Sequence, residues 1–535
     1  MNLEPVLVAG RWQPSSNPVD TIQAVNPTTG RPLPNRYPVS GWPEIERAVE
    51  AGAEAAEAMR DHSPDEIADF LEAYAEALEE RQDALVAIAH RETALPPEPR
   101  LRSGELPRTV DQLRQAAAAA RDRSWCRAIL DTARNIRSMY EPLKGPVVTI
   151  GPSNFPYAFN AVSGGDFAAA VAVGNPVIAK GHPGHPGTTK LLAEAAFEAV
   201  TATGMPEATV QMIYHMEPES GLRLVAHPKI GASAFTGSRR AGMALRRAAN
   251  EAGNLIYLEM SSINPVFVLP GALDERLESV AEALYHSCSL GTGQFCTKPG
   301  LVILMDSERS EAFIETVVER FAHPPGLLLA EEGVGSIAET VEGLQAHGAE
   351  LITGGHRVDG AGFRYANTLL RVSGETFLDN PDALQAEVFG VVSLLVLAED
   401  VVQMQRIAAR LEGNLTGSVY THTEGDDDAL YDQVAPIVRE RVGRLLNDTM
   451  PTGVAVSPAM NHGGPFPATG HPGFTAVGIP PAMLRFAALR CYDQVRHHRL
   501  PPELRNPNPT GSMWRLIDGV WTQRDVDAGE VGGEP

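Results

Sequence analysis

Cys296 is the residue best suited to covalent chemistry, and it ends the segment Gly293-Gln294-Phe295-Cys296. A cysteine thiolate is a good nucleophile, and glycines allow a ligand to approach the backbone closely. A lone cysteine is more often a packed and inert thiol, so a catalytic interpretation needs partners elsewhere in the chain. Cys288, eight residues earlier on a predicted helix, is interpreted as such a packed thiol.

Two polar residues at predicted strand ends could supply those partners. Attack on a carbonyl creates an oxyanion that needs preorganised N–H donors, and the side-chain amide of Asn154 offers one. A general base is also needed, and Glu259 ends an otherwise apolar strand. Asn154 could instead be an ordinary turn residue, and Glu259 could cap a helix together with Ser261 and Ser262.

Further positions have the chemistry to hold a nucleotide. Thr236-Gly237-Ser238 precedes a predicted helix, and the N–H groups at a helix start bind phosphate. Lys180 ends a predicted strand and could bind a ribose or a phosphate. Glu387 leads a buried-looking strand. The alternatives are a simple N-cap, a solvated lysine and an edge charge.

These residues belong to a regular alternation of strands and helices that begins at Pro146. Short apolar strands separated by helices predict βαβ crossovers and a parallel sheet. Ligands bind beyond the carboxyl ends of such strands, and the polar candidates stand at those ends. The predicted strands are 146–151, 175–180, 209–214, 231–235 and 255–259, and the predicted helices are 160–173, 188–203, 219–227 and 239–252.

A second α/β set follows, so the predicted fold class is α/β with two such units. The N-terminal region reads as a hairpin at 5–12 and helices at 44–60, 64–93 and 107–133. The second set has predicted strands at 265–269, 300–304, 388–397, 415–420 and 442–446, and predicted helices at 274–290, 307–322, 400–412 and 428–438. A Gly- and Pro-rich loop is predicted at 447–478, strand character at 483–495 and a last short strand within 514–521, while segment 322–335 fits no element.

Composition narrows the range of partners. The net charge is 44 − 67 = −23, which argues against binding to nucleic acid. Four cysteines without a CxxC pair form no disulfide framework, so a reducing cytoplasm is expected. No signal peptide is recognised at the N-terminus.

Membrane and metal interpretations are also disfavoured. The most apolar run, 158–179, is interrupted by glycines, an aspartate and a proline, which predicts a buried helix-turn-strand rather than a membrane span. His182 and His185 lie in one loop without an acidic or cysteine partner at ligand spacing, so no metal site is expected.

Taken together, the order and spacing of these motifs resemble the aldehyde dehydrogenase superfamily over about residues 5 to 495. The chain looks most similar to the branch of 2-oxoglutarate semialdehyde (2,5-dioxopentanoate) dehydrogenases and bacterial long-chain aldehyde dehydrogenases. The motifs that carry the resemblance are Ser153-Asn154-Phe155-Pro156, Lys180-Gly181-His182, Phe235-Thr236-Gly237-Ser238, Glu259-Met260-Ser261-Ser262-Ile263-Asn264-Pro265, Gly293-Gln294-Phe295-Cys296, Glu387-Val388-Phe389-Gly390 and His462-Gly463-Gly464-Pro465.

The resemblance implies a mechanism. Cys296 would attack the aldehyde to form a thiohemiacetal, with the oxyanion held by Asn154 and the Cys296 backbone N–H. After hydride transfer, Glu259 would activate water to hydrolyse the thioester. Glu387 would bind the nicotinamide ribose and Lys180 the adenosine ribose. Ser153, Phe155, Thr236, Gly237, Ser238 and Phe389 would complete the cofactor site.

The resemblance also implies a domain organisation. The expected architecture is a Rossmann-like cofactor domain, an α/β catalytic domain and a small β arm that joins neighbouring subunits. An unpaired strand edge invites such pairing, so a homodimer or homotetramer is expected. The expected boundaries are 1–132 and 145–259 for the NAD(P)-binding domain, 260–482 for the catalytic domain, 133–144 and 483–496 for the oligomerisation arm, and 497–535 for a C-terminal tail.

Cofactor preference follows from one departure from the family. NAD-preferring members often have a glutamate three residues after the lysine, where this chain has Pro183. Without that carboxylate a 2′-phosphate meets less repulsion, and Lys180, with His182 nearby, could pair with it. NADP is therefore the expected cofactor, with NAD tolerated.

The expected substrate is a small aldehyde, and the branch implies oxidation of 2-oxoglutarate semialdehyde to 2-oxoglutarate. A bound carboxylate needs a cation or several N–H donors, yet the sequence points to no particular arginine. Medium-chain, long-chain or aromatic aldehydes remain an alternative. A coenzyme-A-acylating enzyme is a further alternative, disfavoured by Glu259, and a non-catalytic protein on the same fold is disfavoured because Cys296, Asn154 and Glu259 are all present.

Overall fold

The computed structural model describes residues 3–526, and its strands build three larger sheets and two small ribbons. In chain order the strands are β1 (Val6–Val8), β2 (Arg11–Gln13), β3 (Pro18–Ile22), β4 (Val25–Asn26), β5 (Arg31–Pro32), β6 (Tyr37–Ser40), β7 (Ile129–Asp131), β8 (Ile136–Pro142), β9 (Val147–Ile150), β10 (Val177–Lys180), β11 (Val210–Ile213), β12 (Ala232–Thr236), β13 (Leu255–Glu259), β14 (Val266–Val268), β15 (Leu301–Met305), β16 (Glu350–Thr353), β17 (Thr368–Ser373), β18 (Val392–Ala398), β19 (Asn414–Tyr420), β20 (Val442–Asn447), β21 (Ala487–Asp493), β22 (Arg515–Ile517) and β23 (Val520–Thr522).

Helices cover the faces of these sheets. They are α1 (Trp42–Ala58), α2 (Pro64–Glu80), α3 (Gln82–Thr93), α4 (Leu106–Asp122), α5 (Gly165–Val173), α6 (Pro186–Thr203), α7 (Pro218–Val225), α8 (Arg239–Ala252), α9 (Pro270–Ser289), α10 (Glu308–Phe321), α11 (Glu331–Ala346), α12 (Gly374–Asp379), α13 (Pro381–Leu384), α14 (Val401–Arg410) and α15 (Asp428–Arg441). Short helical turns lie at Met59–Asp61, Pro97–Glu105, Ser124–Cys126, Glu207–Thr209, Leu290–Gly293, Pro481–Phe486, His497–Arg499 and Pro502–Leu504.

The first sheet has the order β13-β12-β9-β10-β11-β1-β2. Strands β9 to β13 are parallel, and the predicted N-terminal hairpin β1-β2 extends the sheet in the antiparallel sense. Chain connections diverge between β9 and β12, which makes this point the crevice where ligands of such sheets bind. Asn154 follows β9 and Ser238 follows β12, so both stand at that crevice.

The second sheet has the order β16-β17-β18-β15-β14-β19-β20 and is parallel except for β16. Cys296 lies between α9 and β15, and Glu387 lies before β18. Since β15 and β18 are hydrogen-bonded neighbours, the segments that enter them are also neighbours. The two α/β units and their parallel sheets confirm the predicted fold class.

The third sheet, β21-β8-β7-β22-β23, joins distant parts of the chain. Strand β21 pairs with β8 from Ala487 opposite Pro142 to Asp493 opposite Ile136, which are the two expected pieces of the arm. The structure adds β7, β22 and β23 to the same sheet. The region expected as a separate tail therefore forms a hairpin within the arm sheet, as far as residue 526.

Several predicted elements have different limits in the structure. The single helix expected at 64–93 is two helices, because the backbone departs from helical geometry at Arg81. The helix expected at 107–133 ends at Asp122, where Arg123 adopts a left-handed conformation with φ 66°. The unassigned stretch after residue 322 leads into α11, β16 and β17, which complete the second sheet.

The predicted loop after β20 packs into the centre of the molecule. The Met260 N–H donates to the Ala468 carbonyl (2.8 Å), and the Gly470 N–H donates to the Leu258 carbonyl (3.0 Å). The loop thus continues the end of β13 as an antiparallel partner and passes beside Glu259. Among residues 3–526, the helices are all too short or too polar to cross a membrane.

Candidate active site

Cys296 follows a tight turn that brings two loops together. Gly291, Thr292 and Gly293 have left-handed φ values of 55°, 57° and 72°. A Cβ atom on Gly293 would lie 2.2 Å from the backbone carbon of Gly390, so only glycine fits here. The close approach fixes the loop of Cys296 against the loop that contains Glu387.

Asn264 holds the cysteine loop from the other side. Its Nδ2 donates to the carbonyl oxygens of Cys296 (2.8 Å) and Lys298 (3.0 Å). Its Oδ1 accepts hydrogen bonds from the hydroxyls of Ser262 and Thr416, both at 2.9 Å. Sequence reasoning gave Asn264 no role, because an asparagine two residues after a serine pair is also typical of a turn.

The amide of Asn154 lies next to the same loop. Its Nδ2 donates to the Gln294 carbonyl at 2.8 Å. An amide nitrogen has two donor hydrogens, so one bond leaves a second donor for an oxyanion. The Asn154 carbonyl accepts a hydrogen bond from Arg100 at 2.9 Å, and Arg100 is ion-paired with the buried Glu105. This network fixes the Asn154 backbone.

Glu259 and Cys296 are connected by His462. The His462 Nε2 atom lies 2.9 Å from Glu259 Oε1 and 3.5 Å from Cys296 Sγ. Both the histidine and glutamate side chains are only 1% exposed. The Glu259 Oε2 atom is buried without a hydrogen-bond partner in the described part of the chain. The three residues therefore form a continuous line of proton-carrying groups.

His462 is the functional candidate that sequence reasoning missed. In the sequence it was noted only as part of the motif His462-Gly463-Gly464-Pro465, and no chemical role was assigned to it. It stands 203 residues after Glu259, in a loop without the periodicity that would predict its position. The loop holds it in place, since the His462 N–H donates to Thr475 Oγ1 (2.9 Å) and the His462 carbonyl accepts from the Ala476 N–H (2.9 Å).

Electrostatics keep the cysteine protonated in this arrangement. Burial and the neighbouring charge of Glu259 raise the pKa of the Cys296 thiol well above its usual value, and the Arg108 guanidinium opposes this rise. A thiolate is the reactive form. The thiol must therefore give up its proton when substrate is present, and His462 Nε2 is an acceptor within reach in the tautomer that carries its hydrogen on Nδ1.

The expected cofactor residues lie along the carboxyl edge of the first sheet and the facing loop. Ser153 follows β9, Lys180 ends β10, Thr236 ends β12 and Gly237 follows it. Ser238 is the N-cap of α8, and its hydroxyl accepts from the Ala241 N–H. The Gly237 N–H donates to the Glu259 carbonyl at 3.1 Å, so the phosphate-type turn is tied to the strand that positions the candidate base.

A pocket of about 280 Å³ lies between the two α/β units beside the start of α8. Its lining includes Arg239, Ser261, Ser262 and Glu387. The hydroxyls and the Glu387 carboxylate suit ribose hydroxyls. Asp382 and Glu412 also line the pocket, and Arg239 is paired with Glu412 at 2.9 Å. Burial raises the pKa of Glu387 to about 7, against the lowering effect of hydrogen bonds from Ser261 and Ser262. Ser261, Ser262 and Glu387 fit a ribose of a nicotinamide cofactor.

Lys180 and His182 differ in charge. Burial lowers the pKa of Lys180 to about 8, so it is mainly cationic at neutral pH. Burial and the neighbouring His185 and Lys180 lower the pKa of His182 well below its usual value, and its Nδ1 accepts the Gly184 N–H at 3.1 Å. His182 is therefore neutral and can offer a hydrogen bond to a phosphate but no charge.

The two expected aromatic residues of the cofactor site have different surroundings. Phe389 is 37% exposed next to Glu387, as a ligand-facing side chain requires. The Phe155 ring packs against Phe159 and Phe295, with centroids at 5.2 and 5.1 Å. Phe155 thus belongs to an aromatic wall next to Cys296 rather than to the lining of the polar pocket, because its apolar ring is buried there.

Comparison with known proteins agrees with this geometry. A model of the aldehyde dehydrogenase family matches residues 12–435. The chain is 39% identical over 516 residues to alpha-ketoglutaric semialdehyde dehydrogenase 2 of Azospirillum brasilense, covering 93% of this chain and 96% of that protein. It is 34% identical over 515 residues to alpha-ketoglutaric semialdehyde dehydrogenase of Acinetobacter baylyi, covering 94% and 96%.

A solved structure shows the same fold. The structure of 1-pyrroline-5-carboxylate dehydrogenase from Thermus with bound NAD has a TM-score of 0.78 at 23% identity and covers 92% of each chain. Sequence family, fold and the cysteine-centred site agree. The chain belongs to the aldehyde dehydrogenase family and is an oxidoreductase that acts on an aldehyde with a nicotinamide cofactor.

Proposed function

We propose that this enzyme oxidises 2-oxoglutarate semialdehyde to 2-oxoglutarate, with Cys296 as the nucleophile and NADP as the preferred cofactor. The names of the relatives at 34% and 39% identity support the substrate. The observation that carries the chemistry is the contact of His462 Nε2 with both Cys296 Sγ and Glu259 Oε1. This contact gives the thiol proton a route out of a buried site.

In the first half of the reaction the protein binds the aldehyde and deprotonates the Cys296 thiol. His462 Nε2 takes the thiol proton as Sγ bonds to the aldehyde carbon, which forms a thiohemiacetal on Cys296. The free amide hydrogen of Asn154 and the Cys296 backbone N–H stabilise the oxyanion. Each such donor typically contributes about 10²–10³ in rate. When bound, the nicotinamide cofactor would supply a hydride acceptor, and loss of hydride from the thiohemiacetal carbon would leave a thioester on Cys296.

In the second half the chain hydrolyses the thioester. Glu259 Oε2, which has no hydrogen-bond partner among residues 3–526, accepts a proton from a water molecule. The resulting hydroxide attacks the thioester carbon, the C–S bond breaks, and the sulfur takes back a proton. The products are the carboxylic acid and the original thiol. A positioned base typically contributes about 10²–10⁴ in rate.

The cofactor preference rests on charge. Lys180 is a cation at the end of β10, and Pro183 leaves no carboxylate nearby to repel a phosphate. Comparison of kcat/KM for NADP and NAD tests the preference, and we expect NADP to be higher. A hundredfold preference for NAD would refute it.

The assembly and the domain limits are further proposals. We expect the division into a cofactor domain, a catalytic domain and an arm to follow the three sheets. Strand β21 is one of the two outer strands of the arm sheet, and its Leu489 is 58% exposed. An unpaired apolar strand edge favours pairing with a second chain. A homodimer or homotetramer should appear in light scattering at micromolar concentration, and a monomer alone would refute this proposal.

A steady-state screen tests the function as a whole. Semialdehydes that carry a carboxylate, aliphatic aldehydes and aromatic aldehydes are compared with both cofactors. C296A should abolish turnover with every substrate. C288A is the matched control, because Cys288 is buried at 0% exposure against Ser393. Higher kcat/KM for a fatty or aromatic aldehyde than for 2-oxoglutarate semialdehyde would refute the substrate.

A further inference from the structure

Arg108 is a partly buried cation for which no ion pair is found among residues 3–526. It lies in the first turn of α4, and its Nε and Nη2 atoms are shielded from solvent without a hydrogen-bond acceptor in the described part of the chain. An unpaired buried charge is costly, and proteins rarely retain one without a function. Its arrangement therefore suits a negatively charged ligand.

The aromatic wall connects Arg108 to the reacting sulfur. The Arg108 guanidinium carbon lies 5.4 Å from the centre of the Phe159 ring and 5.7 Å from that of Phe155. The Phe159 ring lies 5.6 Å from the His462 ring. Phe155 contacts Phe295, the residue before Cys296. Arg108 and the reacting groups thus share one aromatic-walled region.

The electrostatics agree with this position. Burial lowers the pKa of Arg108, while the charges of Glu105 and Cys296 raise it. In turn, Arg108 lowers the pKa of the Cys296 thiol. The guanidinium and the thiol are therefore close enough for each to affect the charge of the other.

The charge of Glu105 stabilises the Arg108 cation through space, but the two side chains form no ion pair in the described part of the chain. The two oxygens of Glu105 are engaged elsewhere, because Oε2 pairs with Arg100 and Oε1 accepts the N–H groups of Tyr157 (2.8 Å) and Ala158 (2.9 Å). No ion pair of Arg108 is found within residues 3–526. The described part of the chain therefore offers no carboxylate that completes the pair, and a bound ligand could supply it.

Other arginines near the site are already engaged. Arg100 pairs with Glu105 and donates to the Asn154 carbonyl. Arg444 donates to the carbonyls of Pro451 (2.8 Å) and Gly453 (3.0 Å). Their Nη groups hold loops in place, although the Nε atom of each is also buried without a partner, whereas Arg108 has both Nε and Nη2 without an acceptor among residues 3–526.

We propose that Arg108 binds the carboxylate of the substrate and so selects aldehydes that carry an acid group. A guanidinium binds a carboxylate through two parallel hydrogen bonds. With its acid group on Arg108, a short semialdehyde would present its other end to Cys296. This inference rests on the proposed substrate and adds the residue that recognises it.

The test compares an acidic and a neutral substrate. R108Q and R108K are assayed with 2-oxoglutarate semialdehyde and with pentanal, an uncharged aldehyde of the same carbon number. Loss of a charge-assisted contact should lower kcat/KM for the acid by about 10²-fold. The value for pentanal should fall by a clearly smaller factor, because pentanal loses only the effect of the cation on the Cys296 thiol. For the acidic substrate, kcat/KM of R108K should lie between the values of wild type and R108Q. Lysine keeps the positive charge but cannot form two parallel hydrogen bonds.

R114A is the matched control on the same helix. Arg114 pairs with the exposed Glu79 on the surface, so R114A should behave as wild type with both substrates. Thermal unfolding of each variant checks that the fold is intact. If R108Q does not fold, inhibition of the wild type is measured instead. Competitive inhibition by glutarate but not by 1-pentanol supports the proposal that a cation in the substrate site binds a carboxylate. Equal inhibition by both compounds contradicts it.

The outcomes separate this proposal from the proposed function. If the wild type prefers the acid aldehyde and R108Q keeps that preference, Arg108 is not the recognition residue although the function stands. If R108Q loses activity equally with both substrates, Arg108 acts on the Cys296 thiol or on the fold rather than on the substrate carboxylate, and the proposal is wrong. If the wild type prefers pentanal, the proposed substrate is wrong and the role of Arg108 fails with it.

Discussion

Substitution of His462 by glutamine is the sharpest perturbation of the site. The side chain remains polar and of similar size, but it can no longer carry a proton. An ordinary thiol has a pKa of 9.0, and burial and Glu259 raise that of Cys296 further. At pH 7 fewer than about one thiol in a hundred is then ionised without help. We expect H462Q to lower the rate of thioester formation by at least about 10²-fold.

Two measurements follow this effect. A rapid-mixing burst of reduced cofactor reports thioester formation directly. The rate of alkylation by iodoacetamide measures the reactivity of the Cys296 thiol. In H462Q this rate should increase tenfold per pH unit up to pH 9, whereas in the wild type it should vary less steeply. H471Q is the control, because His471 is exposed in the same loop and packs against Tyr257. Equal alkylation rates for H462Q and wild type at every pH would refute the proton-acceptor role.

Three further predictions concern the rest of the site. N154A should lower kcat by about 10²–10³-fold with little change in KM for the cofactor, as expected for an oxyanion donor; an unchanged kcat would contradict this in steady-state assays. KM for NADP, but not for NAD, should increase as the pH rises above about 8. The reason is that the pKa of Lys180 is about 8 and only its protonated form attracts a 2′-phosphate. Parallel pH profiles for both cofactors would argue against a contact between Lys180 and the 2′-phosphate. Zn²⁺ should inhibit the enzyme reversibly, because the ligand atoms of Cys296, His462 and Glu259 all lie within 4.8 Å of one another. Inhibition that a chelator does not reverse would argue against a zinc site at these three residues.

The sequence was informative where chemistry and local pattern coincide. The parallel strands of the first sheet and five strands of the second were predicted from short apolar runs, whereas β16 and β17 were not predicted. The polar residues after the strands of the first sheet do lie at the carboxyl ends. The limits of helices were less predictable. The break at Arg81 and the left-handed Arg123 depend on how the chain packs, and neither residue type is a typical helix breaker.

The residues that the sequence did not reveal are those whose roles depend on distant contacts. His462 lies in a loop that only tertiary packing brings to Glu259. Asn264 acts through its bonds to the Cys296 loop. Arg108 sits on a helix among many charged residues, and only the engagement of Glu105 elsewhere distinguishes it. Spacing along the chain carries no information about such contacts.

The contact of one imidazole nitrogen with two partners has a consequence for the resting enzyme. His462 faces both Cys296 Sγ and Glu259 Oε1 with Nε2. A neutral imidazole has one protonated and one bare nitrogen. When Nε2 carries the hydrogen it is committed to the carboxylate, and only the tautomer with hydrogen on Nδ1 can receive the thiol proton. The population of that tautomer therefore sets the fraction of molecules that are ready to react when an aldehyde arrives.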